Sequence, residues 1–314
     1  MTARRRLAAA TVLACAVAAA GCGIGPGAAT EGTAYLTVTR DYGADRLLES
    51  SIDDPPESET VLRLLDSEAD ITTRYGGGFV QSIEGVEGEE SGSGRFDWFF
   101  YVNGIESPTG AADVRVYGGD RIWWDYRDWS AAMRVPAVVG SWPEPFAHGA
   151  EGKRFPVRID CFGADEDCSA VADRLDAEGI AASIAAPGAR VEGELLRVVV
   201  GPWREVRDDS AAALIDDGPA TSGVFADFEP SFDNIYDDLV ALDAGGEPAA
   251  RGGPGSGLVA AVREGDEQPT WVVTGTDEAG VHAAVDLLDD ESLRDHYAVA
   301  VTADGRELPL PVER

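Results

Sequence analysis

The chain is expected to fold as an α+β protein built from two successive parts with different patterns. Three observations predict this. Residues 33–130 hold aromatic and β-branched runs around a single short helical stretch. Residues 153–314 alternate strand-like and helix-like segments, the pattern of a layered α/β sandwich domain. Residues 131–152 between them carry Pro136, Pro143 and Pro145, which oppose a helix and mark a connector.

The amino-terminal segment reads as an export signal. Arg4, Arg5 and Arg6 precede an apolar run from Leu7 to Ala20, which is too short to span a bilayer. The run ends Ala19-Ala20-Gly21-Cys22 and resembles the bacterial lipobox, with Ala19 where that motif usually has Leu. The resemblance implies cleavage after residue 21, lipid on Cys22 and residence at the outer face of the cell membrane. Residues 22–32 are rich in Gly, Ala, Thr and Pro and are expected to be a flexible tether.

The formal charge is -32 at pH 7, and loss of residues 1–21 removes three arginines and no acid. Such an excess argues against nucleic acid and against adsorption to anionic lipid. Lys153 is the only lysine; with abundant Ala, Gly and Asp, this bias points to a GC-rich genome. Of four cysteines, Cys15 belongs to the signal and Cys22 to the anchor. Cys161 and Cys168 remain, and outside the cytoplasm such a pair is expected to form a disulfide.

In the first part, Ala34–Arg40 alternates as a strand. Ser58 can cap a helix with Val61, Leu62, Leu64 and Leu65 on its apolar face. Phe79–Ile83 is a short strand after Gly76-Gly77-Gly78, and Glu84–Gly94 reads as an exposed loop. Trp98-Phe99-Phe100-Tyr101-Val102 runs into Asn103-Gly104, the signature of a type I′ hairpin turn. A second aromatic strand, Arg121–Trp129, follows Gly118-Gly119-Asp120. A sheet carrying one helix buries one face, so some aromatics are expected outside the core. Tyr101, Trp123 and Trp129 are the first candidates for ligand contact, with Trp98 and Tyr126 beside them. Trp and Tyr offer a large rigid surface to a flat or apolar ligand.

The order of strand, helix with Thr60-Val61-Leu62-Arg63-Leu64-Leu65, Trp-Phe-Phe-Tyr-Val-Asn-Gly, then Gly-Asp-Arg-Ile-Trp-Trp-Asp-Tyr resembles the β-grasp domain at the carboxy end of transcobalamin and intrinsic factor. In bacteria that domain is described as one of unknown function. The resemblance covers residues 33–129. It implies a β-grasp-like domain with a role at or near vitamin uptake, with an energy-coupling-factor importer as partner and cobalamin or a related ring as bound ligand. The vitamin carriers have an α-barrel opposite this domain, whereas here the second part alternates strands and helices.

In the second part, strands are expected at 155–159, 180–184, 195–200, 224–228, 258–262, 270–275 and 297–301. Helices are expected at 168–175, 210–215 and 279–288, with a Gly-rich break at 244–257. The turn Thr274-Gly275-Thr276-Asp277 opens the last helix, whose amino end could hold an anion or simply be well capped. His148, His282 and His296 show no zinc spacing, and Gly253-Pro254-Gly255-Ser256-Gly257 has no buried strand before it to make a nucleophile elbow. No catalytic residue, metal ligand or resident cofactor is assigned, and the chain is read as a non-enzyme. Its expected role is a lipid-anchored binding or accessory protein. The alternative is a structural or protein-interaction lipoprotein of the envelope with no small ligand.

Overall fold

The computed structural model describes residues 29–75, 78–91, 94–189, 193–232 and 236–313. The signal segment, Cys22 and Gly76-Gly77 lie outside the described residues. The protein is an α+β mixture with more strand than helix, 40% against 17%.

The first sheet is built from β1 (Thr33–Arg40), β2 (Asp45–Asp53), β6 (Glu89–Ser91), β7 (Gly94–Val102), β8 (Ile105–Glu106) and β9 (Arg121–Asp128). Helix α1 (Val61–Glu68) and a small sheet of β3 (Ile71–Arg74), β4 (Phe79–Ile83) and β5 (Val86–Glu87) fall between β2 and β6 in the chain. The strand order is β2-β1-β9-β7-β6, with β8 paired to β7. β1 and β9 run parallel at the centre, with Leu36 opposite Ile122 and Val38 opposite Trp124. Val61, Leu64 and Leu65 of α1 pack on Leu36, Val38, Trp98, Phe100, Ile122 and Trp124, which point to one face of the sheet. The helix is capped by Thr60, whose hydroxyl accepts from the Arg63 N–H, and not by Ser58. Asn103 and Gly104 both have positive φ, 54° and 74°, as a type I′ turn demands. The stretch expected as an open loop at 84–94 instead forms β5 and β6.

The expected tether is shorter than its composition suggests. Thr30 N–H donates to the Pro55 carbonyl, and the Thr30 hydroxyl accepts from the Gly118 N–H. Gly32 N–H donates to Asp54. From Ala29 onward the chain is tied to the first sheet.

The second part holds a seven-stranded sheet. Its members are β10 (Val157–Cys161), β11 (Ala182–Ala185), β12 (Leu196–Pro202), β16 (Gly257–Val262), β17 (Thr270–Gly275), β18 (Ala298–Val301) and β19 (Glu307–Leu310). Their order is β11-β10-β12-β17-β16-β18-β19; the first four are parallel and the rest add on antiparallel. A three-stranded antiparallel sheet of β13 (Ala226–Pro230), β14 (Asp237–Leu242) and β15 (Pro248–Gly252) stands apart. β14 and β19 were not expected from sequence, and β15 crosses the expected break at 244–257. Helices α2 (Asp165–Ala177) and α6 (Glu278–Asp286) cover one face of the large sheet, together with Trp142 and Phe146 of the connector. The short helices α3 (Trp203–Val206), α4 (Ala213–Asp216) and α5 (Pro219–Ser222) belong to the other side, and α7 (Asp290–Leu293) precedes β18.

The two parts are not independent packing units. Tyr42, Tyr101 and Trp123 point from the far face of the first sheet into the same apolar core as Val199, Trp203, Phe225, Leu258 and Tyr297. The connector is part of this arrangement: Val135 and Val138 enter that core, while Ala137 and Val139 enter the other. Within the connector, Ala137 makes an antiparallel bridge pairing with Ile105.

Cys161 and Cys168 form a disulfide that ties the end of β10 to α2, and Cys168 is buried. A loop of this size is worth ~2–3 kcal/mol by chain entropy. Reduction is expected to lower unfolding free energy by about that amount, read as a shift of the urea midpoint with and without reductant. An unmoved midpoint would show that α2 is held by its packing alone.

Candidate ligand-binding groove

Three cavities bear on function. The first lies on the helix-bearing face of the first sheet, where β4 and the segment after β8 approach β7 and β9. Its volume is about 240 Å³, and Phe79, Val80, Trp98, Phe100 and Trp124 form its apolar walls. Glu106, Ser107 and Thr109 supply a polar end. Gly78 and Gly110 close on each other so tightly that a Cβ on Gly110 would sit 2.8 Å from the Gly78 carbonyl oxygen.

Each wall is held differently. Phe100 and Trp124 are cross-strand partners on β7 and β9, and their rings stack at 4.8 Å. Trp98 packs on Tyr126 at 5.2 Å and donates its indole N–H to the Val86 carbonyl at 2.9 Å. The Tyr126 hydroxyl donates to the Glu87 carbonyl at 2.9 Å, so the segment unexpected at 86–91 is what pins both rings. Phe79 is the open lip, 37% exposed. Glu106 accepts from the Val135 N–H at 2.9 Å and pairs with Arg134 at 3.6 Å. Burial pushes its carboxyl above the usual range, against the pull of Arg127 and Arg134.

The five aromatic candidates separate. Trp98 lines the groove and Tyr126 buttresses it. Trp129 stands away from it, half-buried, beneath the Arg95 guanidinium at 4.7 Å. Tyr101 and Trp123 do not face solvent, being 0% and 2% exposed. The expectation that this second sheet face stays open fails because the α/β part covers it. Phe79, Phe100, Trp124 and Glu106 are groove residues that sequence reasoning left as core or unremarked. The one available signal was Phe79 directly after a glycine run.

The covered face holds a dense polar network. The Tyr297 hydroxyl donates to Asp125 at 2.9 Å, and Tyr101 meets the Tyr297 hydroxyl at 3.2 Å. The Thr39 hydroxyl donates to Asp125 at 2.6 Å and accepts from the Trp123 indole N–H at 2.8 Å. Burial pushes the Asp125 carboxyl up to about 6, opposed by the hydrogen bonds from Thr39 and Tyr297. Asp120 is likewise pushed up to about 6 by burial, opposed by bonds from the Tyr117 N–H and Asn103. Asn103 is therefore more than a turn residue: its amide donates to Asp120 and to the Gly149 carbonyl.

A pH dependence follows. Both carboxyls titrate higher folded than unfolded, where ~3.9 is expected. Their contribution is complete below the unfolded value and is lost as pH rises through about 6. The thermal midpoint is expected to be higher at pH 5 than at pH 8, with each group contributing on the order of 1–3 kcal/mol. Circular dichroism melts across this range check it, and a midpoint that rises with pH would refute it.

A second cavity of about 730 Å³ opens at the amino ends of β10, β12 and β17, lined by Arg158, Asp160, Arg197 and Asp209 among others. Its guanidiniums are already engaged. Asp160, fully buried, pairs with Arg158 at 2.7 Å and Arg197 at 2.8 Å, and Arg197 also meets Asp209 at 2.6 Å. Ligands of open parallel sheets sit at the carboxyl ends of strands, so this cavity is on the wrong side. A third cavity of about 160 Å³, between Arg121 and Arg294, lies at the junction of the two parts. The amino end of α6 holds an anion, but it is the chain's own: Asp277 accepts from Gly280 and Gly255 N–H groups. Among the described residues no group of three or more His, Cys, Asp and Glu is placed to hold a metal ion, and no helix is long and apolar enough to cross a membrane.

Residues 58–128 match a family model described as a domain of unknown function, DUF4430. This span contains every residue lining the aromatic groove. Among solved structures, one from Ruminococcus gnavus, described as a candidate metal binding protein, is similar at 18% identity with a TM-score of 0.25. The match covers 31% of this chain and 98% of that one. No curated protein matches.

Proposed function

We propose that this is a non-catalytic, extracytoplasmic lipoprotein that captures a small apolar or ring-shaped ligand in the aromatic groove of its first domain. The observation that carries the reading is the groove itself: four aromatic rings and one polar end within the family-matched span. Such apolar walls with a few polar groups are the usual composition of ligand sites. The mixed sheet with one helix on one face supports the β-grasp resemblance, and through it a place beside a vitamin importer. Anchoring at Cys22 rests on the amino-terminal pattern alone.

Volume limits the ligand. About 240 Å³ is below the ~300–1,000 Å³ typical of enclosing ligand sites. A whole corrin would not be enclosed; one edge or side group of it would be. Titration of the lipid-free protein with cobalamin and other vitamins is expected to quench tryptophan fluorescence saturably at micromolar concentration. Phe79→Ala is expected to weaken that binding about tenfold, the loss of the ring contact made by the lip of the groove. No quenching by any of them would sink the vitamin reading.

A second reading, docking of an envelope protein, is favoured by one observation. Tyr75 at the end of β3 is 87% exposed, on the same β3–β4 hairpin as Phe79. Co-purification of a membrane complex that is lost on Tyr75→Ala, without any small ligand, would select it.

A further inference from the structure

The third cavity, at the junction of the two parts, is built from both. Its floor is the far face of the first sheet. Tyr35 and Thr37 of β1 stand in register beside Arg121 and Trp123 of β9. Alternate residues of a strand share a face, so these four point away from α1, on which Leu36, Val38, Ile122 and Trp124 pack. The roof is Gly140-Ser141 of the connector and Arg294-Asp295 ahead of β18. Backbone joins the two roof segments: the Asp295 N–H donates to the Gly140 carbonyl at 3.1 Å, and a Cβ on Gly140 would sit 2.7 Å from the His296 backbone. One carboxylate outside the lining, Asp290, holds both guanidiniums. Arg121 Nη1 donates to one of its oxygens at 2.9 Å and Arg294 Nε to the other at 2.9 Å. Arg121 Nε and Nη2 and Arg294 Nη1 make no hydrogen bond among the described residues; the nearest carboxylate oxygen to that Nη1, on Glu49, is 3.7 Å away. The Ser141 hydroxyl also makes none there, although the residue is 2% exposed. It is not one of the sealed, unpaired polar atoms of the interior, so the surface it keeps is that of the cavity it lines.

We propose that this cavity binds a small zwitterion, an α-amino acid of the size of glycine or alanine, separately from the aromatic groove. Its carboxylate lies on Arg121 and Arg294, and its ammonium turns toward Glu49 and Asp295. Three features point to this ligand class. The lining carries both signs of charge in balance: Arg121 and Arg294 against Glu49 and Asp295, with Arg46 pairing both acids from outside as Asp290 pairs both cations. A simple anion would enter a chain of formal charge -32 against repulsion and come to rest beside two carboxylates, and a simple amine would meet two guanidiniums. A zwitterion adds no net charge. The volume is the second feature. About 160 Å³ holds about five non-hydrogen atoms at the ~30 Å³ that a water occupies, so a large side chain is excluded. The third is the supply of unused donors, because fork-shaped guanidiniums already fixed by Asp290 meet a carboxylate without further ordering. The site needs both parts of the chain, and its occupation ties them together.

The test titrates the full chain with glycine, alanine, leucine, acetate, inorganic phosphate and methylamine by calorimetry, and follows the Arg121 and Arg294 Nε–H resonances by nuclear magnetic resonance. Glycine and alanine are expected to bind at about millimolar concentration or tighter, within the ceiling for so few atoms. Acetate and methylamine, each keeping one charge, should bind at least about tenfold more weakly, the loss of a charge-assisted hydrogen bond. Leucine should not bind. Glycine should shift both Nε–H resonances. Arg121→Gln should weaken glycine about tenfold or more, whereas Phe79→Ala, in the aromatic groove, should leave it unchanged. Acetate or phosphate binding as tightly as glycine would overturn the proposal in favour of a plain anion site. No heat and unmoved arginine resonances with glycine well above millimolar would overturn it outright. Loss of glycine binding in Phe79→Ala would move the amino acid to the groove and overturn it as well. The resonances are read in the unaltered protein, so the test holds even where Arg121→Gln folds poorly.

Discussion

Trp123→Ala is expected to destabilise the protein by ~3–5 kcal/mol, the cost of emptying a large aromatic site in a packed core. The ring is enclosed by Tyr101 at 5.5 Å and Tyr297 at 5.3 Å. Backbone presses on it closely: a Cβ on Gly140 would sit 2.9 Å from the ring and one on Gly43 would sit 3.1 Å away. The substitution also removes the donor to Thr39. Trp129→Ala, on a half-buried ring outside this core, is expected to cost about 1 kcal/mol. Urea unfolding of the two variants gives the comparison. Equal losses would mean that the face covered by the second part is not where stability resides. The ion pairs at the same junction, Arg121 with Asp290 at 2.9 Å and Arg294 with Glu49 at 3.7 Å, are partly exposed and worth ~0–1 kcal/mol each.

Arg127 should be the second most sensitive position. Its side chain is fully buried, donates to the Ala132 and Met133 carbonyls at 2.7 and 3.2 Å, and lies 3.8 Å over the Phe99 ring. Arg127→Ala would strand both carbonyls, open a cavity and deprive the buried Glu106 and Asp125 of a nearby cation. The expected loss is ~3–5 kcal/mol. Arg127→Lys should recover little of it, because one ammonium cannot span two carbonyls and also lie flat on the ring. Full recovery by lysine in denaturant titrations would mean that charge alone matters there.

Much of the first sheet could be read from sequence because its signals are local. Alternation placed β1 and β9, and Asn103-Gly104 placed the turn after β7. The α/β alternation after residue 153 and the Cys161–Cys168 bond were legible for the same reason. The covered face was not legible. β9 carries Trp124 on one face and Trp123 on the other, and nothing in that strand says what lies beyond either. The answer sits 196 residues from Tyr101, at Tyr297, and is a matter of docking. Short edge strands were missed where polar or glycine-rich composition masked them: β5 and β6 among Glu and Gly, β15 beside Gly252-Gly253. β19 was missed because Pro309 interrupts its pattern, yet Leu308 and Leu310 point inward. The groove suffered from the opposite problem. Its residues look like core, and only the gap left between β4 and the segment after β8 turns Phe100 and Trp124 into walls.

Were Cys22 lipidated as the amino-terminal pattern implies, the early docking of the chain would set a mooring length. With Thr30 bonded to Pro55 and Gly118, only residues 23–28 separate Cys22 from the body. Six residues reach ~20 Å at full extension, about the ~19 Å radius of gyration of a globule this size. A molecule moored at Cys22 could roll on the membrane but not leave it. The corner where β1 begins would stay nearest the membrane. The anchor would therefore confer an orientation as well as an address.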